Sequence, residues 1–171
     1  YVPRNMIRED IDWIEERILE ATLKFNSKVV FIDNLHFITM SENDKEYWGK
    51  LGSTAKRLKK LAQKLDVCIV LIVHLRKTQL GVNKMPTIDD ISGSSDVAKV
   101  SNTILILWRE STRNGDGKLE FTGNNFVGIQ KCRAGAKQDN HLFAWEKGKF
   151  LEKSLAELTK TFNKNKREDL V

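Results

Sequence analysis

The sequence predicts an α/β domain with one mostly parallel sheet flanked by helices, and antiparallel hairpins at the C-terminal edge. Three observations carry this expectation. The runs VVFID (29–33), VCIVLIVHL (67–75) and NTILILW (102–108) are apolar on both faces, as strands buried between helix layers are. Apolar residues at helical spacing precede the first run and separate the first from the second. Turn residues and short alternating segments crowd the last third of the chain.

Taken in order, Ile7, Ile11, Ile14 and Ile18 recur at helical spacing among charged residues, so 7–24 reads as an amphipathic helix. SENDKE (41–46) is a polar loop in which Ser41 or Asp44 can cap the next helix. That helix, Tyr47 to Leu65, places Trp48, Leu51, Ala55, Leu58, Leu61, Ala62 and Leu65 on one face. Its other face carries Lys50, Lys56, Arg57, Lys59, Lys60 and Lys64, read as a solvated surface with nucleic-acid contact as the rival. Arg76 to Ser95 follows the second apolar run without clear periodicity, and a loop so long is usually functional or mobile. After the third run, Asn114-Gly115 and Asp116-Gly117 signal turns, and hairpin strands are expected at 126–132, 141–146 and 150–151. Residues 1–152 are expected to form one domain, and 153–171 a tail that is helical, through Leu155, Leu158 and Phe162, or disordered.

Composition narrows the class. The 171 residues, 40% hydrophobic and 30% charged, suffice for one domain with a core. No apolar run approaches the roughly 18–20 residues of a membrane span, and YVPRNMIRED lacks the pattern of a signal peptide. Cys68 and Cys132 lie apart inside apolar runs, which predicts two buried, reduced thiols rather than a disulfide framework or zinc site. A net charge of +6 permits an anionic partner, although a solvated lysine-rich surface gives the same sum.

Four residues stand where chemistry is expected. Asp33 ends a fully apolar strand, and ligands of open α/β sheets bind outside the carboxyl ends of strands. Such an acid either holds Mg²⁺ beside a nucleotide's phosphates or caps a turn. Its neighbour Asn34 cannot act as a base. His74 ends the next strand and is either a structural histidine or a group that senses a terminal phosphate. In GIQKCRAG, strand alternation puts Lys131 and Arg133 on one face, where they either pair with a surface acid or bind phosphate.

Taken together, these segments resemble the DnaB-type helicase core, closest to its phage helicase-primase and Twinkle branch. VVFIDNLHFI resembles the Walker B strand, and VCIVLIVHLRK the strand that ends in a phosphate-sensing histidine. IDDISGSSDVAKVSNTILILWRE resembles the segment with the second DNA-binding loop, and GIQKCRAGAKQDNHLFAWEKGKFLE the one with a Lys-x-Arg finger. The resemblance covers roughly residues 25–152. It implies a RecA-like fold and a parent helicase that uses ATP or another NTP with Mg²⁺, moving 5′ to 3′ as a homo-hexamer on single-stranded DNA. By the same resemblance Asp33 is the Mg²⁺-associated acid, His74 the γ-phosphate sensor, Arg133 the arginine finger and Lys131 its companion. Arg76, Lys77 and Lys84 would contact the DNA backbone, with the amides near Gly93 and Ser94. Primase and DNA polymerase are implied partners. The location the resemblance implies is the cytoplasm of a bacterial or phage-infected cell, or the mitochondrial matrix for a Twinkle-like protein.

The pattern is broken in places. Lys99 stands on the nucleotide-linked position where the family usually has Gln, and Ser92 where Arg is common. No GxxxxGK[ST] occurs, and the glutamate base expected after it is missing. The chain is therefore expected to begin downstream of both and to be inactive by itself. The rival readings are a RecA- or RadA-like recombination ATPase, a helicase loader, and a non-catalytic RecA-like DNA-binding module.

Overall fold

The first helix, α1 (Ile11–Phe25), starts where the Asp10 side chain accepts the Trp13 amide N–H at 2.9 Å. It stops at Asn26, which takes the left-handed conformation (φ 50°) and donates its N–H to the Ala21 carbonyl. The computed structural model describes residues 10–35, 44–75, 85–91, 94–135 and 137–154. Ile7, Ser41 and the tail beyond 154 lie outside the described residues. The chain forms two compact units, residues 1–77 with 88–101 and residues 78–87 with 102–171.

In the first unit, β1 (Val29–Ile32) and β2 (Cys68–Leu71) run parallel in the register Val29↔Cys68 to Ile32↔Leu71. The ladder continues past both strand ends. Ile72 N–H donates to the Ile32 carbonyl at 2.9 Å, and Leu35 N–H donates to the Ile72 carbonyl at 3.0 Å. α2 (Asp44–Leu65) connects the two strands and begins at Asp44 itself. Alternation sends Val30, Ile32, Ile69 and Leu71 to one face, where they pack with Ile18 of α1 and Leu58 of α2. A second cluster joins Leu35, Leu51 and Ala55 to Val97 of α3 (Ser94–Val100). The other face of the ladder is open: Val29, Phe31, Val70 and Ile72 remain exposed, Phe31 by 72%. Cys68 is exposed on that face, which corrects its expected burial, and Cys132 is half-buried; both are free thiols.

The basic face of α2 is mostly exposed, as expected, but two of its cations also pair with neighbouring helices. Arg57 reaches α1, donating through Nε and Nη2 to both carboxylate oxygens of Glu15 at 2.9 and 2.8 Å and also to Asp12. These bonds, Glu15 first, raise the guanidinium pKa further above its ordinary value. Lys56 Nζ donates to Asp96 Oδ2 at 2.7 Å and so ties α2 to α3. This contact lowers the Asp96 carboxyl below the usual aspartate range. The 3₁₀ turn Ile88–Asp90 and the first two residues of α3 fall within the long loop expected at 76–95. Leu75 and Ile91 form an antiparallel bridge across it.

The second unit is a four-stranded antiparallel sheet in chain order: β3 (Thr103–Arg113), β4 (Leu119–Cys132), β5 (Asn140–Glu146) and β6 (Lys149–Glu152). The α/β class is as expected, and among the described residues NTILILW pairs with β4, antiparallel. The cause is local. Asn114 Oδ1 accepts the N–H groups of Asp116 and Lys118, and Gly117 (φ 76°) closes the turn, so β3 folds straight back on β4. Lys147 and Gly148, both at positive φ, make the β5–β6 turn, a signal the sequence reading passed over. β4 has two irregularities, near Gln130 and opposite Glu110. At the second, Glu110 is only 3% exposed, and its Oε2 accepts from Thr122 Oγ1 and Asn124 Nδ2, each at 2.7 Å.

Two glycines of α2 separate propensity from packing. A Cβ at Gly49 meets nothing within 4 Å, whereas one at Gly52 lies 2.8 Å from Asp96 Oδ2 and 3.0 Å from Asp96 Cβ. Gly49→Ala is expected to stabilise the chain by up to about 1 kcal/mol through helix propensity. Gly52→Val is expected to destabilise it by about 1–3 kcal/mol, because α3 must move away. Urea midpoints of the two variants shifting in the same direction would contradict this packing.

Candidate functional site

Asp33, Asn34 and His74 come together because β1 and β2 are parallel and in register. Both strands deliver their carboxyl ends to the same edge, where ligands of such sheets bind. Asp33 follows Ile32 directly and is exposed, while the Asn34 side chain turns inward and is only 6% exposed. His74 is exposed and lies two residues beyond Ile72. Asn34 Nδ2 and His74 Nε2 are 3.0 Å apart. The roles follow the tautomer: where the amide nitrogen donates, Nε2 accepts and the neutral ring carries its proton on Nδ1. Sequence reasoning found Asp33 and His74 but dismissed Asn34 as unable to act as a base. An amide after an acid carries no periodic signal, and only the fold reveals its partner.

Lys99 lies in the last turn of α3 and is exposed. Its charge also helps to lower the Asp96 carboxyl, after the larger effects of Lys56. Ser94 begins α3. Arg76, Lys77, Lys84 and Gly93 lie outside the described residues, as does Ser92.

Lys131 and Arg133 belong to the second unit. Lys131 is opposite Ile104, Cys132 opposite Thr103, and Arg133 N–H donates to the Asn102 carbonyl at 2.9 Å, so the register continues through Arg133. Thr103 Oγ1 points to Cys132 Sγ at 3.9 Å, which puts that pair on one face and Lys131 with Arg133 on the other. Burial, and then the charge of Arg133, pull the Lys131 ammonium below the ordinary lysine range. The two cations are close enough to repel.

A divalent metal is a fair test of the acid. Among the described residues no group of three or more His, Cys, Asp or Glu gathers, so an all-protein metal cage is not formed there. One exposed carboxylate at a strand end does suit Mg²⁺, which keeps its waters and takes one or two carboxylates beside phosphates. No helix among the described residues is long and apolar enough to cross a membrane.

Comparison with known proteins gives a consistent answer. Residues 6–152 match the family model described as DnaB-like helicase C terminal domain. Over 82 residues the chain is 29% identical to the replicative DNA helicase DnaB of Helicobacter pylori, which is 47% of this chain and 17% of that protein. A solved structure of a DnaB-like replicative helicase, described with its interactions with primase, is 21% identical with a TM-score of 0.67. That match covers 83% of this chain and 34% of the other. A KaiC-like protein of Pyrococcus horikoshii, 13% identical over 84% of this chain and 57% of its own, has a TM-score of 0.59. These two structures show a RecA-like fold, and the chain spans about a third or less of the helicases it matches.

The Lys131–Arg133 pair can be tested by titration. A lysine with a lowered folded pKa weakens the fold while it is charged. That cost lifts as pH rises from the folded pKa to the ordinary lysine range. The side-chain NMR signals of Lys131 should titrate below those of the other lysines, and Arg133→Gln should restore only part of the shift, since burial is the larger cause. A Lys131 midpoint indistinguishable from the rest would remove the pair.

Proposed function

Because the chain belongs to the DnaB-like helicase C terminal domain family, we propose that it is the part of a replicative helicase motor that reads a nucleotide's state. The observation that carries this reading is the meeting of Asp33, Asn34 and His74 at the carboxyl edge of a parallel strand pair. An acid and an imidazole presented there are what a phosphate-bound Mg²⁺ and a terminal phosphate need.

In this reading Asp33 holds Mg²⁺, directly or through water, and the ion when bound neutralises charge on the phosphates. His74 donates a hydrogen bond to the γ-phosphate of ATP or another NTP and loses that partner when the phosphate leaves. Lys99 passes the change along α3. Arg133, with Lys131 beside it, acts in trans on the nucleotide of a neighbouring subunit in a homo-hexameric ring. An arginine of this kind contributes about 10³–10⁵ in rate. Arg76, Lys77, Lys84 and the amides of Gly93 and Ser94 track the backbone of single-stranded DNA. Primase and DNA polymerase are the partners of the whole protein, in the cytoplasm or the mitochondrial matrix.

The phosphate-binding loop and the base that activates water come from a preceding part of the RecA-like core. That part also covers the exposed face of Val29, Phe31, Val70 and Ile72, since parallel strands are ordinarily buried on both faces. Residues 1–152 form the core portion and 153–171 a tail. The rival, a recombination ATPase or helicase loader, shares the fold but would form open filaments or dock on another ring. Electron microscopy of the full-length protein separates these from a closed hexamer.

Three variants of the longer helicase test the assignments. Asp33→Ala should abolish hydrolysis. Arg133→Ala should lower it by about 10³-fold or more while nucleotide binding persists. Lys84→Ala should flatten the salt dependence of single-strand binding by up to about one unit of slope. The 171-residue chain alone should show almost no ATP turnover. Normal hydrolysis by the Arg133 variant would remove the finger, and an unchanged slope would remove Lys84 from the DNA path.

A further inference from the structure

Asn34 is a buried polar side chain that the reading above leaves without a task. It sits beside the acid, yet points away from solvent and is only 6% exposed. An amide in that position costs about 1–3 kcal/mol if its hydrogen-bonding groups are not met. Its nitrogen lies 3.0 Å from His74 Nε2, forty residues along the chain.

The backbone on both sides of this contact is fixed. The Ile72-to-Ile32 and Leu35-to-Ile72 bonds bracket Asn34 and lock the two strand ends in register. Leu35 is fully buried one residue after Asn34. Leu75, directly after His74, is bridged to Ile91. Donor and acceptor are therefore carried on segments that cannot slide past each other.

Phosphate oxygens only accept hydrogen bonds, so a neutral imidazole must offer them its single N–H. Which ring atom carries that proton decides which edge of the ring can serve, and the partner of the other nitrogen decides the tautomer. We propose that Asn34 is a positioning residue that holds His74 in the Nδ1–H tautomer, with Nε2 turned inward and Nδ1–H as the edge that meets a phosphate oxygen. The contact also joins the acid's strand end to the sensor's, so that movement of the imidazole is felt beside Asp33. The phosphate part rests on the reading of His74 given above; the tautomer part does not.

The test is ¹⁵N NMR of the imidazoles in the full chain, above the pH range where histidine is charged. The chain has three histidines, and loss of one signal set in His74→Gln identifies that of His74. The wild-type ring is expected as the Nδ1–H tautomer. Asn34→Asp puts an acceptor where the donor was and should invert the ring to Nε2–H. Asn34→Ala should shift it towards the Nε2–H form that free histidine side chains prefer. A wild-type ring already in the Nε2–H form overturns the proposal, whether or not either variant folds. So does an Asn34→Asp ring that remains Nδ1–H in a folded chain. In the longer helicase, Asn34→Ala should lower kcat for hydrolysis by about 10–100-fold, the scale for losing a partner that orients a histidine, with KM little changed. If the tautomer responds as stated but His74→Gln leaves hydrolysis intact, the positioning stands and the phosphate-sensing reading fails.

Discussion

The rest of the first unit depends on the parallel pairing of β1 and β2. Parallel strands deliver both carboxyl ends to one edge, and the register Ile32↔Leu71 leaves Asp33 and His74 only a few residues past it. Antiparallel pairing would put the two groups at opposite ends of the ladder. A one-residue slip would turn every side chain to the other face and pull Val30 and Ile32 out of the cluster around Ile18 and Leu58. Register is thus fixed by burial on one face and read out as chemistry at the edge. The Arg57 fork to Glu15 and Asp12 helps to hold α1 and α2 together over that buried face. As an exposed ion pair it gives orientation more than stability.

Much of this was legible from the chain itself. Ile11, Ile14 and Ile18 repeat with the helical period because one face of α1 packs on the core, and continuous apolar runs report strands even where, as in β1 and β2, only one face is buried. Asp33 and His74 were legible because a polar residue that interrupts an apolar run marks its end. The parallel direction of β1 and β2 was expected from runs apolar on both faces that alternate with helical stretches. Asn34 was not legible: its role depends on a partner forty residues away, and nothing local to it has a period. Arg57 looked like one more solvated cation because sequence shows its own helix face and not the carboxylates of α1. The fate of NTILILW was hidden for another reason. An apolar run is compatible with either strand direction, and the Asn114 turn decided for the local partner.

β4 shows how one strand serves two ends. Ile106 pairs with Gly128 near the middle of the sheet, and a Cβ there would lie 2.6 Å from Met85 Cε and from Asn140 Oδ1. A side chain at 128 would displace the ends of the Met85 and Asn140 side chains, and Pro86, next to Met85, is fully buried. Two residues further on, the irregularity near Gln130 shifts the register, and Lys131 and Arg133 follow immediately. A shift of this kind re-aims the side chains beyond it. The strand therefore anchors the residues after the segment proposed to touch DNA, and it aims the cations proposed to touch a neighbour's nucleotide. A displacement of Met85 would press on the same strand that sets the direction of Arg133.

The open face of β1 and β2 bears on the division of labour. Phe31 and Val29 are as apolar as the residues on the covered face, so their exposure is not a feature of a self-sufficient surface. The same two strands expose apolar side chains on one face and functional groups at one edge. Whatever covers the face must also stand close to the edge. A phosphate-binding loop followed by its helix meets both conditions: the helix supplies apolar cover, and its N-terminus lies level with the carboxyl ends of the strands. The groups proposed for this chain are ones that coordinate, sense and orient; the group that activates water is proposed to come from elsewhere in the RecA-like core. On the proposed reading, completing the fold and completing the site are one event, because an element that buries Phe31 would stand where phosphates are brought to Asp33 and His74.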